Sequence, residues 1–314
     1  LGCTGPRAIG FTKETRIQRL HQLLSFEARR EQAAIARQCV LYREPRTERL
    51  IGQVLTGLIP DGPAHGGMPK VLLVRDTSLN AFSFPDGAIY IHTGLLARLE
   101  HESELALLLA HEITHITRQH ALQAAMLERR EGAGGPFDGR ELSDSLSWFH
   151  DTAPALGDPV PLNAVRDLRR TLEHEADRMG LDMLIKSNYD PYEALEIFEH
   201  LKTGADTEET AERAARLSDQ LASAALDAPA RPRDPIAFSQ RLHPLLTAQV
   251  ELEIQRGEWE SALRHARRLL NDDPENARGH YLLGEWYRQR AEPGDEDLSL
   301  RHYDRAVGSD PLLP

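Results

Sequence analysis

Residues Leu105 to His120, LALLLAHEITHITRQH, constrain this chain more than any other stretch. Leu105, Leu107, Leu108, Leu109, Ile113 and Ile116 cover so many sides of a helix that the helix must be buried, yet His111, Glu112 and His115 sit within it. On a helix turning about 100° per residue, positions 111 and 115 lie about one turn apart on one face, so both imidazoles reach a single point. Burying two histidines and a carboxylate without a partner is costly. Neutral imidazole nitrogens suit zinc, which in catalytic sites takes three protein ligands and keeps one position for water. The H-E-x-x-H order therefore predicts His111 and His115 as zinc ligands and Glu112 as the base acting on a water.

A third ligand is expected from residues 171–186, TLEHEADRMGLDMLIK, where Leu172, Ala176, Met179, Leu181, Met183, Leu184 and Ile185 predict a second buried helix. Glu173 and Asp177 are spaced i,i+4 on one of its faces. Glu173 is the predicted metal ligand. Asp177 is predicted to accept a hydrogen bond from the second nitrogen of a ligating imidazole, and His174 and Glu175 to point elsewhere.

The ordered motifs Asn80-Ala81-Phe82, Gly87-Ala88-Ile89-Tyr90-Ile91, Glu104-Leu105-Ala106, His111-Glu112-Ile113-Thr114-His115 and Glu173 to Gly180 resemble metallopeptidase family 48. The likeness runs from about Val71 to about Leu201, with a further piece near His243, and is nearest to the BepA-like branch. Thr114 and Gln119 depart from the family's usual glycine and arginine. The resemblance implies a gluzincin-like zinc endopeptidase. It also implies that the strand Gly87, Ala88, Ile89, Tyr90 and Ile91 is an edge that holds the substrate backbone extended. By the same likeness His243, in SQRLHPLL, lies on a loop that can reach the metal as a regulatory fourth ligand, the alternatives being a solvated loop histidine or a stabiliser of the tetrahedral intermediate.

Composition limits the alternatives. A formal net charge of −12 argues against a nucleic-acid surface. No apolar run approaches the roughly eighteen residues of a membrane helix. Leu1-Gly2-Cys3 resembles the end of a bacterial lipoprotein signal, so a lipidated Cys3 is the one route to a membrane that the sequence suggests. With only Cys39 besides Cys3, a disulfide framework is not expected.

Residues 13–59 predict two packing helices broken at Pro45, and Val71 to Arg75 and Ala88 to His92 two short strands. Residues 131–163 read as an irregular insertion carrying Trp148 and Phe149, and 203–233 as a polar, alanine-rich segment of unreadable role. From Thr247 a repeat begins: Trp259, Ala262, Ala266, Leu269 and Pro274 align with Tyr303, Ala306 and Pro311, while Leu283-Gly284 and Tyr287 supply the front of the second copy. The two prolines stand about three positions further apart than the roughly 34-residue tetratricopeptide period, and Pro293-Gly294-Asp295 accommodates the insertion.

The expected fold is α+β and mostly helical. It comprises a tail at 1–12, a zinc metallopeptidase domain with a small sheet at 13–246, and tetratricopeptide-like repeats at 247–314 that pack on it and present a surface to a protein partner. The expected activity is hydrolysis of misfolded or unassembled proteins in the bacterial periplasm, a setting drawn from the family likeness. The competing expectation is a repeat scaffold whose metal site is idle or self-inhibited.

Overall fold

The computed structural model describes residues 13–62, 67–130, 162–201, 207–224 and 234–313. Cys3, Trp148, Phe149 and most of the expected insertion lie outside the described residues. The chain opens with α1 (Lys13–Gln38), β1 (Leu41–Tyr42) and α2 (Pro45–Leu58). Pro45 is the first residue of α2, where a missing N–H is harmless, and the Glu44 carboxylate caps it by accepting from the amides of Arg46 and Thr47.

The sheet follows, with β2 (Lys70–Val74), β3 (Ala81–Ser83) and β4 (Ala88–His92). Its order is β1-β2-β4-β3, β2 and β4 being parallel and the other pairs antiparallel. The turn from β3 to β4 closes through the Phe84 amide on the Ala88 carbonyl, and Gly87 takes φ 91°, which its missing Cβ permits. Alternate β4 residues serve two cores. Ile89 and Ile91 join the main core, while Ala88 and Tyr90 pack with Phe82, Phe84 and the α1 residues Ala28 and Ile35.

This strand order corrects one expectation. β4 is hydrogen-bonded on both sides, so Gly87 to Ile91 form no edge; the sheet ends at β1 and at β3, and β3 is the end strand beside β4. Local sequence gives the strand but not its place in the sheet.

After α3 (Thr93–Arg98) comes α4 (Glu102–Thr117), buried along most of its length. Its first turn is closed by the fully buried Glu104, which accepts from the Glu100 and His101 amides. Then follow α5 (His120–Arg130), α6 (Leu162–Ile185), α7 (Pro191–Leu195), α8 (Ile197–His200) and α9 (Thr207–Ser223). The helix α6 lies against α4 so closely that a Cβ on Gly180 would stand 3.1 Å from the His111 amide nitrogen and 3.3 Å from the Ala110 carbonyl carbon. That approach sets the spacing between the two helices bearing the predicted ligands.

The C-terminal part consists of α10 (Pro235–Arg256), α11 (Trp259–Asp272), α12 (Ala277–Arg290) and α13 (Asp295–Ser309). Leu242, Leu245, Leu246 and Val250 of α10, Ala266 of α11 and Trp286 of α12 belong to the same core as Ile89 and Leu109. Polar links reinforce the seam: Arg268 donates to the carbonyls of Ala97 and Leu99, and Thr93 to Gln249. Gly284 makes room for the Tyr303 ring, since a Cβ there would sit 2.6 Å from it. The expected boundary at 246 falls inside α10. His243-Pro244 is likewise helical rather than a loop, because burial of Leu242, Leu245 and Leu246 carries the helix through the proline.

Candidate metal centre

His111 and His115 project from α4 toward Glu173 on α6, and ligand atoms from all three lie within 4.8 Å of one another. His111 Nε2 is 3.3 Å from one Glu173 oxygen and His115 Nε2 is 3.5 Å from the other. The two Nε2 atoms face each other at 3.0 Å. The i,i+4 spacings on two helices produce this convergence, and the close contact at Gly180 brings the helices together.

Asp177 sits one turn beyond Glu173 and accepts the Nδ1–H of His111 at 3.0 Å. Arg213 of α9 holds that carboxylate with two hydrogen bonds, at 2.8 and 2.7 Å. The paired donors keep Asp177 well below the ordinary carboxylate range although burial opposes it. Burial would lower His111, but hydrogen bonds to Asp177 and Glu173 push it up to about 10. Burial and the neighbouring His111 push His115 down to about 3. Glu173 is held down at about 2 despite its burial, chiefly by His111.

These shifts describe one trapped charge. In the arrangement these shifts favour, a protonated His111 donates from Nε2 toward His115, with Glu173 beside both. A site that holds a positive charge between two imidazole nitrogens and a carboxylate matches the donor set of a divalent zinc ion, which would replace the proton.

Glu112 is 5% exposed, and its pKa is raised by burial against the opposing influence of His111 and the Ser83 hydroxyl. It thus stands between the cluster and the end of β3. Asn80 O accepts from His92 and Phe84 N donates to Ala88, so alternation along β3 turns the backbone groups of Ala81 and Ser83 away from β4.

His243 is not brought to this cluster. From α10 its Nε2 pairs with the Asp272 carboxylate of α11 at 3.0 Å, so the expected fourth ligand is replaced by a helix-to-helix contact. Sequence reasoning missed Arg213, which lies in a polar segment with no metal-like pattern. It also sent Glu175 away from the site, whereas Glu175 meets Arg118 and His120 behind His115.

The chain is 35% identical to a beta-barrel assembly-enhancing protease of Yersinia pestis over 123 residues, covering 38% of this chain and 25% of that protein. It is 31% identical to the protein of that name from Escherichia coli K12 over 126 residues, 38% of this chain and 25% of the relative. A mitochondrial metalloendopeptidase OMA1 of Arabidopsis thaliana is 29% identical over 146 residues, 44% of this chain and 27% of its own length. The matches thus span about a quarter of each of these relatives. The model of peptidase family M48 matches residues 45–251, from the start of α2 to near the end of α10 and across both helices that carry the cluster, and the chain belongs to that family.

Proposed function

We propose that the chain is a zinc-dependent endopeptidase that cleaves misfolded or unassembled proteins in the bacterial envelope. The observation that carries this reading is the convergence of His111, His115 and Glu173 with the buried Glu112 beside them. The ligands in this reading are the Nε2 atoms of the two histidines and the Glu173 carboxylate. A bound zinc ion supplies Lewis acidity toward the scissile carbonyl and lowers the pKa of a water in the site.

The remaining chemistry falls to the protein. Glu112, raised by its burial, is suited to take a proton from the attacking water on its carboxylate and deliver it to the leaving amine. Asp177, held by Arg213, fixes the Nδ1–H of His111 and so aims its other nitrogen inward. An extended substrate segment adds to β3 along the backbone groups of Ala81 and Ser83, which supports placing the scissile bond beside Glu112.

Supporting the envelope setting are the names of the bacterial relatives. The two helix pairs from α10 to α13 are consistent with tetratricopeptide-like repeats that offer a surface to a protein partner. Periplasmic localisation, with or without lipid on Cys3, completes this reading. The test is casein digestion by zinc-loaded full-length chain beside a Glu112→Gln variant. Wild type is expected to digest casein and the variant, with equal zinc content, to lose at least about 100-fold of the rate. Equal rates, or inert wild type, would reject the peptidase reading.

A further inference from the structure

We propose that His120 and Glu175 form a second orienting arm of the metal centre, selecting the His115 tautomer whose Nε2 lone pair faces the metal. The inference rests on the zinc reading of the cluster above. On an unbroken helix, His120 would stand about 140° around the axis from His115 and could not face it. The helix is broken: α4 ends at Thr117, Gln119 takes φ 55° in the left-handed region, and α5 restarts at His120. This reversal folds His120 back over His115, with ring centroids 4.8 Å apart, planes at 89°, and the two Nδ1 atoms 3.0 Å apart.

A hydrogen bond between two ring nitrogens needs one hydrogen, and the surroundings decide which ring supplies it. His120 is 3% exposed, and its Nε2 lies 3.4 Å from Glu175 Oε2. That nitrogen makes no aligned hydrogen bond, but the carboxylate beside it repels a lone pair and attracts an N–H, so in a neutral imidazole Nε2 carries the hydrogen and Nδ1 is left as an acceptor. His115 must then donate from Nδ1, which leaves its Nε2 unprotonated on the side of His111 and Glu173. Arg118 fixes the Glu175 carboxylate by donating to Oε1 at 2.7 Å. The sequence Glu175, His120, His115 thus does for the second imidazole what Asp177 does for the first. Each carboxylate is itself held by an arginine, Arg118 in one case and Arg213 in the other. His120 is a positioning residue: its Nδ1 meets the outer side of the His115 ring.

The test measures zinc affinity of the full chain by competition with a chromophoric chelator, together with long-range proton–nitrogen spectra of the histidine rings. His115 should carry its hydrogen on Nδ1 in the zinc-loaded wild type. His120→Leu should weaken zinc binding about 10- to 100-fold. His120→Gln should recover most of that loss, since its amide oxygen accepts from His115 and its amide nitrogen donates to Glu175. Glu175→Gln should fall between wild type and His120→Leu, and it carries the test together with the wild-type spectrum if His120→Leu does not fold. Wild-type affinity in His120→Leu or Glu175→Gln, no recovery in His120→Gln, or a hydrogen on Nε2 of His115 would overturn the proposal. Failure of the wild-type chain to take up zinc would instead overturn the zinc reading, and this proposal with it.

Discussion

In the proposed zinc reading, a proton held between the two Nε2 atoms at the centre of the site gives way to the metal. With His111 pushed up to about 10, the metal-free cluster is charged near neutrality, and zinc must expel that charge. Loading at neutral pH should therefore release about one proton per zinc, read as base consumption in a weakly buffered titration, and no release would contradict the assignment. The same groups shape the stability of the chelator-treated protein. His111 is raised, so its contribution is present below the ordinary imidazole value and lost as pH climbs through about 10. Glu173 is lowered, so its contribution is present above the ordinary carboxylate value and lost as pH falls toward about 2. His115 is lowered, so stability is also withdrawn as pH falls below the ordinary imidazole value, and thermal melts of metal-free protein should peak at roughly pH 6.5. His111, His115, Glu173 and Asp177 were legible in the sequence because i,i+4 spacing survives translation into a helix. His120 was not, because the break at Gln119 undoes the helical arithmetic that would have turned it away.

At the scale of elements, the metal centre depends on how closely two helices approach. Gly180 is the contact, and its neighbours there are backbone atoms of α4, which cannot rotate aside. Gly180→Ala should destabilise the fold by about 1–3 kcal/mol and weaken zinc binding, because separating α6 from α4 carries Glu173 away from both imidazoles. A variant that loses stability yet binds zinc as wild type would show that the helices are not coupled in this way. The strands teach a different lesson. The run rich in Ile and Tyr from Ala88 to His92 revealed β4, but its interior place depends on β2 and β3 arriving on either side, which no local pattern states. His243-Pro244 misled in the opposite direction. The family likeness put this pair on a loop, but the buried leucines around the proline outweigh the lost hydrogen bond and keep it helical.

Among the described residues, the main core continues from α2 through α12, with smaller clusters where α1 meets the sheet and α5. A change of pattern near Thr247 was legible in the sequence, whereas the packing of the C-terminal helices against the helices that carry the cluster depends on long-range contacts such as Arg268 on the carbonyls of Ala97 and Leu99. A chain ending at Arg256 would expose Val250 and Ile254 and leave those two carbonyls without their donor. It should melt broadly and non-cooperatively by circular dichroism. A melt as sharp as that of the full chain would show that the C-terminal helices are a separable attachment.

The most direct test of the account is zinc-edge X-ray absorption on the full-length protein loaded with one equivalent of zinc. It should report two imidazole nitrogens and carboxylate oxygen around the metal, with one imidazole lost in His111→Ala and in His115→Ala and no change in His243→Ala. A third imidazole that disappears in His243→Ala, or a coordination shell unaltered by Glu173→Ala, would contradict it.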